Sequence, residues 1–392
     1  MPGDERILGG LTVVDLSVAR AGPTTVRMLA DWGASIVRVE QPGGDEGVVL
    51  DHESSDYINL HSNKRLLTLN LKHDDGRRIL LRLLERADVL VENFRPQVKE
   101  KLGIGYEQVR ERCPRLIYAS ISGFGQDGPG AHKGAVDQII QGSAGLMSVT
   151  GTKETGPIRA GVAIADLAAG MILANAVLLA LRERDASGLG QWVQVSLMEA
   201  LITFLDFQAV RWTADHEVPD PVGNDHPTLS PMGLFHAADG FLNVAAPSDR
   251  LWLRLCDAMG ADDLLDAPEF ATAALRHRNR EALHAKLNRV LGTRPRAAWV
   301  EVFEGAGVPC GPVNSIDEVF ADPQVRHLAM TERVHHAVRG PIDILRNPIT
   351  MSRSGRAPRT AAPTPGQHTD ELLHELGCTD DEVRALRASG TV

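Results

Sequence analysis

Short apolar runs alternate with segments of helical spacing along the first half of the chain, and this alternation constrains the fold more than any other feature. Strands are predicted at residues 11–17, 35–40, 88–94, 115–122 and 191–196, and helices at residues 24–32, 73–87, 165–182 and 198–214. Strand–helix–strand repetition of this kind predicts a parallel sheet with helices on its faces. The predicted fold class is therefore α/β.

A second compact region is predicted after a proline-rich linker. Residues 218–231 contain four prolines and little periodicity, which is typical of a linker or loop. The compact region spans residues 233–307 and begins with a hairpin, residues 233–245, that turns at Asp239-Gly240. Residues 353–365 are rich in proline and arginine and are predicted to form a surface arm.

The composition excludes several classes of protein. With 43% hydrophobic residues among 392, the chain is too apolar to be disordered, and its formal net charge of −10 argues against nucleic-acid binding. The most apolar stretch, residues 167–181, is rich in alanine and stops at Arg182, so a buried helix is expected and not a membrane span. Four scattered cysteines without a CxxC pair predict reduced thiols and a cytoplasmic location.

Motifs for the common cofactors are missing from the sequence. The first predicted strand–helix turn, VARAGPTT, holds only Gly22 where a dinucleotide-binding fold requires GxGxxG, so NAD or FAD binding is not predicted. The sequence contains neither a Walker motif nor GxSxG, and its histidines and cysteines lack metal-ligand spacing. We therefore predict neither a metal site nor a resident cofactor.

One acid interrupts an otherwise uncharged helical segment. Asp166 is the only ionisable residue in residues 161–181. Such a carboxylate either caps the helix by binding its first free amides or serves, partly desolvated, as a nucleophile or base. Asp137, in the segment KGAVDQIIQGSAG, presents the same two alternatives.

Basic residues cluster near predicted strand ends in an otherwise acidic chain. Ligands of open α/β sheets bind at the carboxyl ends of the strands, where cations suit phosphates. The alternative is a solvated charged face. The residues concerned are Arg38, Lys64, Arg65, Lys72, Arg95, Lys99 and Lys101.

Several motifs, in order, resemble the class III CoA-transferases, the family of formyl-CoA transferase and carnitine CoA-transferase. They are VVDLSVARAGP, LADWGASIVRVE, NKRLLTLNLK, ADVLVENFRP, DQIIQGSAGLMSVTG, IADLAAG, GVPCGPVNS and GQHTDELLHELG. The resemblance extends over essentially the whole chain. It implies an enzyme of acyl-CoA metabolism whose substrates are a coenzyme A thioester and a free carboxylic acid, with no bound cofactor.

The resemblance also implies an architecture. A large Rossmann-like domain would be formed by residues 1–197 and by residues 311–392, which include the returning linker. Residues 198–232 would form a helix and linker, and residues 233–310 the small α+β domain. Two such subunits would be threaded through each other as an interlocked homodimer.

The family nucleophile falls on Asp166, in IADLAAG. It would form an anhydride with the acyl group and then an aspartyl-CoA thioester, and both this role and helix capping can coexist. Asp137 would orient or tune the reacting groups. The positions that the resemblance implies for coenzyme A binding are Arg38, Lys72, Asn93, Phe94, Lys101 and Lys133.

Two departures from the formyl-transferring members bear on the substrate. Arg20 stands where those enzymes carry glutamine, and residues 223–233 lack the consecutive glycines of their loop. The Arg20 guanidinium can hold a carboxylate through two parallel hydrogen bonds, which suggests a dicarboxylic acid substrate. The alternative is that Arg20 pairs with Asp137 or with a phosphate of coenzyme A.

Two other functions are compatible with the resemblance. An α-methylacyl-CoA racemase shares the fold and needs a histidine base where this chain has Val136, which cannot exchange a proton. A catalytically silent CoA-binding protein is the second alternative, and the complete motif around Asp166 argues against it.

Overall fold

The computed structural model describes residues 6–43 and 51–392, and the contacts divide the chain into two compact units. Unit 1 comprises residues 1–146, 159–215 and 329–392, and unit 2 comprises residues 147–158 and 216–328. The predicted hairpin and the compact region after the linker therefore lie in unit 2. From residue 329 onward the chain is again part of unit 1.

The described residues form strands and helices with the following bounds. The strands are β1 Thr12–Asp15, β2 Ser35–Glu40, β3 Lys64–Thr68, β4 Val89–Glu92, β5 Ile117–Ser122, β6 Gly151–Thr152, β7 Gly156–Pro157, β8 Trp192–Ser196, β9 Met232–Ala237, β10 Gly240–Ala245, β11 Cys310–Pro312, β12 Thr331–His336 and β13 Gly340–Leu345. The helices are α1 Ala21–Ala30, α2 Ser55–His61, α3 Asp74–Leu84, α4 Pro96–Lys101, α5 Tyr106–Arg110, α6 Asp137–Ser143, α7 Ile164–Ser187, α8 Leu197–Phe204, α9 Phe207–Asp215, α10 Asp249–Met259, α11 Asp262–Leu265, α12 Ala273–Arg278, α13 Arg280–Leu291, α14 Arg296–Ala306, α15 Ile316–Ala321, α16 Pro323–His327, α17 Thr369–Glu375 and α18 Asp380–Ala388.

Unit 1 is built on a six-stranded sheet in the order β3-β2-β1-β4-β5-β8. Every neighbouring pair of these strands is parallel. The α/β class and the parallel sheet predicted from the sequence are thus confirmed. Strand β3 was not predicted, although it forms one edge of the sheet.

Both faces of this sheet are covered, which explains why its strands are apolar throughout. Adjacent residues such as Val13 and Val14 in β1 point to opposite faces and enter two different hydrophobic clusters. Residues of α1, α7 and α8 cover one face, and residues of α3, α17 and α18 cover the other. The carboxyl-terminal helices are therefore part of the core of unit 1.

Helices α1 and α7 approach each other closely at Gly170. A Cβ atom at this position would lie 2.6 Å from the carbonyl oxygen of Ala21 and 2.9 Å from Cβ of Thr24. The Thr25 hydroxyl also donates a hydrogen bond of 2.9 Å to the Gly170 carbonyl oxygen. Because no side chain separates the two helices here, their first turns lie side by side.

Two local predictions were wrong, and one hairpin was missed. The helix expected at residues 198–214 is two helices, α8 and α9, because Asp206 adopts a left-handed conformation with φ of 47°. Residues 331–345 form an antiparallel hairpin, β12–β13, that was not predicted. The supposed surface arm covers part of unit 1, since Ala357 is buried and Arg359 pairs with the buried Asp31.

Unit 2 contains a three-stranded antiparallel sheet in the order β11-β10-β9. The predicted hairpin is confirmed, with Gly240 opposite Ala237 in register. Helices α10, α13 and α14 contribute to a separate core whose largest members are Phe235, Trp299 and Phe303.

Helix α7 is long and apolar enough to cross a membrane by length and composition alone. Its residues Ala168, Leu173 and Val177 are buried in the core of unit 1, against the sheet and α1. The helix is therefore a central core helix, as the sequence predicts.

The close approach of α1 and α7 at Gly170 can be tested by substitution of this glycine. Alanine ordinarily stabilises a helix interior by roughly 0.5–1 kcal/mol relative to glycine. Here we expect Gly170→Ala to lower the free energy of unfolding by about 1–3 kcal/mol, because the added methyl group forces α1 and α7 apart. Denaturant unfolding measures the change.

Gly305 of α14, where an added Cβ atom would meet nothing within 4 Å, provides the matched control. Gly305→Ala should leave the free energy of unfolding unchanged or raise it slightly. A Gly170→Ala protein as stable as the unsubstituted protein would contradict the proposed close contact.

Candidate active site

A cavity of about 390 Å³ opens at the carboxyl edge of the sheet of unit 1. The strand order reverses between β1 and β4, and ligands of open α/β sheets bind in the crevice at such a point. Residues following β1, β4, β5 and β8 all contribute to the wall. The lining residues are Ala19, Arg20, Ala21, Asp56, Asn93, Ile121, Ser122, Gly123, Ala135, Val136, Asp137, Gln138, Arg159, Ala163, Asp166 and Leu197.

Asp166 lies in the first turn of α7, two residues after the helix begins. The residue that caps this helix is Ala163, which has no side-chain oxygen to offer. Instead, Asp137 of α6 accepts a hydrogen bond of 2.8 Å from the Ala165 amide through Oδ1. Of the two alternatives for these acids, capping belongs to Asp137, and the carboxylate of Asp166 accepts no hydrogen bond from any residue that the structure describes.

The environment of Asp166 disfavours its charged form. Burial is the main cause that raises the pKa of this carboxyl group to about 6, and the neighbouring charge of Asp137 adds to the effect. Arg20 opposes both by lowering the pKa. The result is a carboxylate that is largely ionised at neutral pH yet poorly solvated.

Gln141 connects these groups to the segment that leads into α7. This fully buried side chain donates hydrogen bonds to Asp137 (2.7 Å) and to the Val162 carbonyl oxygen (3.2 Å), and its own carbonyl oxygen accepts one from the Ala160 amide (2.8 Å). Sequence reasoning missed this residue. Its spacing of four from Asp137 on a helix was the available signal.

Arg20 forms an ion pair with Asp56 of α2, with 2.6 Å between Nη2 and Oδ1. The sequence-based alternative that Arg20 pairs with Asp137 is therefore wrong. Asp56 was not anticipated, because α2 was not predicted. The pair stands on the cavity wall, half exposed to solvent.

Asn93 fixes the turn between β1 and α1. Its carbonyl oxygen accepts a hydrogen bond from the Val18 amide, and its amide group donates to the Val18 carbonyl oxygen, both at 2.9 Å. Because Arg20 follows Val18 by only two residues, this pair of hydrogen bonds also positions the arginine. Asn93 also lines the cavity, and its contact with coenzyme A stays a prediction.

Arg38 is buried, with only 1% of its surface exposed. Its guanidinium contacts Glu40 at 2.5 Å and Asp15 at 3.6 Å, and Lys64 pairs with Asp15 at 2.9 Å. We name these four residues the buried charge cluster. This geometry favours a structural role for Arg38 over the phosphate contact expected from the sequence, and that contact stays a prediction.

The remaining residues predicted for coenzyme A binding lie nearer the surface. Lys72, Lys101 and Lys133 are exposed, and Phe94 is half-buried. The ammonium group of Lys133 lies 5.7 Å from the ring centre of Phe124. The structure brings none of these four into the cavity lining.

Comparison with known proteins decides the family. The sequence matches CoA-transferase family III over residues 8–369. The chain belongs to CoA-transferase family III. It is therefore an enzyme, and the substrates of such enzymes include a coenzyme A thioester.

Individual relatives resemble the chain over most of its length. A succinate–glutarate CoA-transferase of Agrobacterium fabrum is 34% identical over 392 residues, covering 96% of this chain and 97% of the relative. A succinyl-CoA:mesaconate CoA-transferase of Haloarcula marismortui is 36% identical, with 94% and 96% covered. The crystal structure of a CAIB/BAIF family protein from Brucella suis superposes with a TM-score of 0.86 at 32% identity, covering 95% of this chain and all of the other.

Among the described residues, the cavity of this CoA-transferase family member lacks the histidine base that the racemase requires. Val136 lies on the wall with 64% of its surface exposed, and the lining residues include no histidine. A two-base proton exchange requires a partner of suitable pKa opposite the first base. The geometry thus favours chemistry at a carboxyl group over proton exchange.

The pKa of Asp166 predicts how activity depends on pH. The rate of CoA transfer, as kcat/KM for the acyl-CoA, should rise with pH through a midpoint near 6 and then level off, because only the ionised carboxylate is a nucleophile. In Asp137→Asn the midpoint should move to lower pH, because a repelling negative charge is removed. Initial rates between pH 4.5 and about 8 measure both midpoints.

Thermal unfolding of Asp137→Asn serves as the control, since this residue also caps α7. Loss of stability without a shift of the midpoint would show that Asp137 only caps the helix.

Proposed function

We propose that Asp166 carries coenzyme A from an acyl-CoA donor to a carboxylic acid acceptor through covalent intermediates. A carboxylate oxygen of Asp166 attacks the thioester carbonyl, and the C–S bond breaks. CoA thiolate is expelled, and Asp166 and the acyl group are joined as a mixed anhydride. The thiolate then attacks the aspartyl carbonyl, releasing the donor acid and forming an aspartyl-CoA thioester. The acceptor carboxylate attacks that thioester, which expels CoA thiolate and forms a second anhydride. The thiolate finally attacks the acceptor's carbonyl in this anhydride, which gives the new acyl-CoA and restores the Asp166 carboxylate.

The observation that carries this proposal is the state of Asp166 in its cavity. It is partly buried, ionised at neutral pH, and without a hydrogen-bond donor among the described residues to weaken its nucleophilicity. Partial removal of water strengthens a carboxylate nucleophile and protects an anhydride from hydrolysis. Each step exchanges one activated acyl derivative for another, so the sequence of steps requires no ATP.

Arg20 and Asp137 shift the pKa of the proposed nucleophile in opposite directions. Arg20 supplies positive charge at the start of α1, where it stabilises the ionised form of Asp166. Asp137 raises the pKa of the same carboxyl group and fixes the first turn of α7. We propose that together they set the position and the ionisation of Asp166.

Coenzyme A itself is proposed to lie along the carboxyl edge of the sheet. The exposed ammonium groups of Lys72, Lys101 and Lys133 are suited to its phosphates. The half-buried ring of Phe94 offers an apolar surface to the adenine. Arg38 would act indirectly, by holding the ends of β1 and β2 in place.

We propose that at least one of the two acids is a dicarboxylic acid. The relatives named above act, by their names, on succinate, glutarate and mesaconate, all of which carry two carboxyl groups. The cavity also contains two arginines, Arg20 and Arg159, where a monocarboxylic acid would need only one cation.

Borohydride trapping tests the covalent intermediate. After incubation with succinyl-CoA, borohydride should reduce the aspartyl-CoA thioester and convert Asp166 to homoserine, which mass spectrometry of the peptide detects. Asp166→Asn and Asp166→Ala should lose both the modification and nearly all CoA transfer. We expect Asp137→Asn to keep the modification, because its side chain can still accept from the Ala165 amide.

Two outcomes would contradict the proposal. One is native-rate transfer by Asp166→Asn, checked to be free of deamidation. The other is exchange of the α-proton of an acyl-CoA in deuterated water without any adduct, which would indicate the racemase. No signal with a broad panel of donors would favour a silent CoA-binding protein.

We further propose that the protein forms the interlocked homodimer and is cytoplasmic. Several large apolar side chains of unit 1 are exposed, including a stripe along α7, and an isolated subunit would present them to water. They are Met171, Leu178 and Leu179 of α7, Ile202 and Phe204 of α8, and Phe207, Val210 and Trp212 of α9. All four cysteines are free thiols, as a reducing compartment would keep them.

Subunit exchange tests the interlocked arrangement. Light scattering should show a dimer that persists on dilution. Two differently tagged preparations should not exchange subunits when mixed, because separating linked subunits requires unfolding, whereas co-expression should yield mixed dimers. A monomer, or rapid exchange in native buffer, would contradict the proposal.

A further inference from the structure

The two arginines of the cavity differ in what they already bind. Arg20 is held by Asp56 in an ion pair of 2.6 Å, so part of its positive charge is already offset by an acid before any substrate binds. Arg159 is exposed, and its one hydrogen bond among the described residues runs from Nε to the Ala160 carbonyl oxygen at 3.0 Å. Although it lines the cavity, no acidic side chain among these residues pairs with it.

The two arginines also differ in their relation to the nucleophile. Arg20 lowers the pKa of Asp166, so its charge acts directly on the reacting carboxylate. Arg159 lines the same cavity from the segment that leads into α7. A molecule with two carboxyl groups requires two cationic positions of this kind, one beside the end that reacts and one for the other end.

The segment that carries Arg159 is fixed, although its side chain is exposed. Gln141 bonds both to the Ala160 amide and to the Val162 carbonyl oxygen, so the backbone next to Arg159 is tied to α6. A guanidinium on a fixed backbone binds a carboxylate with less loss of conformational freedom than one on a mobile loop. The cavity is also lined by the small apolar Ala163, which lies between Arg159 and Asp166 in the sequence and suits a short methylene chain.

We infer that Arg159 determines specificity for dicarboxylic acids by binding the carboxylate that does not react. The inference rests on the proposed CoA transfer and names the residue that recognises the distal end of the acid. Arg159 is thus a substrate-binding residue, whereas Arg20 acts on Asp166. The hypothesis that Arg20 binds the substrate carboxylate is replaced by this assignment.

Acceptor discrimination provides the test. With succinyl-CoA as donor, kcat/KM is measured for glutarate and for valerate, which has the same carbon number but one carboxyl group. In a mechanism with a covalent intermediate, kcat/KM for the acceptor reports only on the acceptor's half of the reaction, so effects on the donor do not enter. Arg159→Gln should lower kcat/KM for glutarate by roughly 10- to 100-fold, as expected for a lost charge-assisted hydrogen bond.

The same substitution should leave kcat/KM for valerate within about a factor of two, since no charged contact is lost. Arg159→Lys should restore part of the preference for glutarate, because it keeps the charge but not the planar pair of donors. Arg20→Gln is the matched control and should slow both acceptors by similar factors.

Equal losses for both acceptors in Arg159→Gln, or no loss for glutarate, would overturn the inference. A selective loss for glutarate in Arg20→Gln would return the role to Arg20. Failure of the underlying mechanism is seen separately, because it would abolish the trapped adduct at Asp166 in the unsubstituted enzyme, whatever the acceptor ratios.

Discussion

The contact between α1 and α7 at Gly170 determines where two charged groups of the cavity, Arg20 and Asp166, lie. The two helices begin far apart in the sequence, at Ala21 and at Ile164. Their first turns nevertheless line the same cavity, because no Cβ atom at position 170 separates the helices. Arg20 stands at the start of one helix and Asp166 in the first turn of the other. A side chain at position 170 would move these groups apart without touching either.

The four side chains of the buried charge cluster, Asp15, Arg38, Glu40 and Lys64, pair with one another and not with groups of the cavity. Burial alone would raise the pKa of Asp15, but Lys64 and Arg38 outweigh it and hold the pKa below its usual value. Two acids and two bases in contact leave no net charge to act on the cavity. Removing a single member would leave an unpaired buried charge, which typically costs about 3–5 kcal/mol.

Local patterns in the sequence predicted most strands of the large sheet, but contacts between distant segments were beyond them. Strand β3 was missed because it begins with Lys64 and Arg65, and charged residues mask the apolar run that follows. Arg38 was expected to meet the phosphates of coenzyme A, since no local feature shows that Asp15 and Glu40 neutralise it. The motif around Asp166 was informative because a lone charge in an apolar helix is rare, whereas Asp56 and Gln141 acquire their roles only in three dimensions.

Asp137 links the start of a helix to the acidity of a side chain one residue further on. The same carboxylate that holds the Ala165 amide also repels the charge of Asp166. A substitution at position 137 can therefore change the acid range in which the enzyme works only if the new side chain, such as that of asparagine, still accepts from the Ala165 amide; any other residue would also loosen α7. The second route of adaptation to an acidic or alkaline habitat runs through Arg20 and its partner Asp56, whose side chains are partly exposed to solvent.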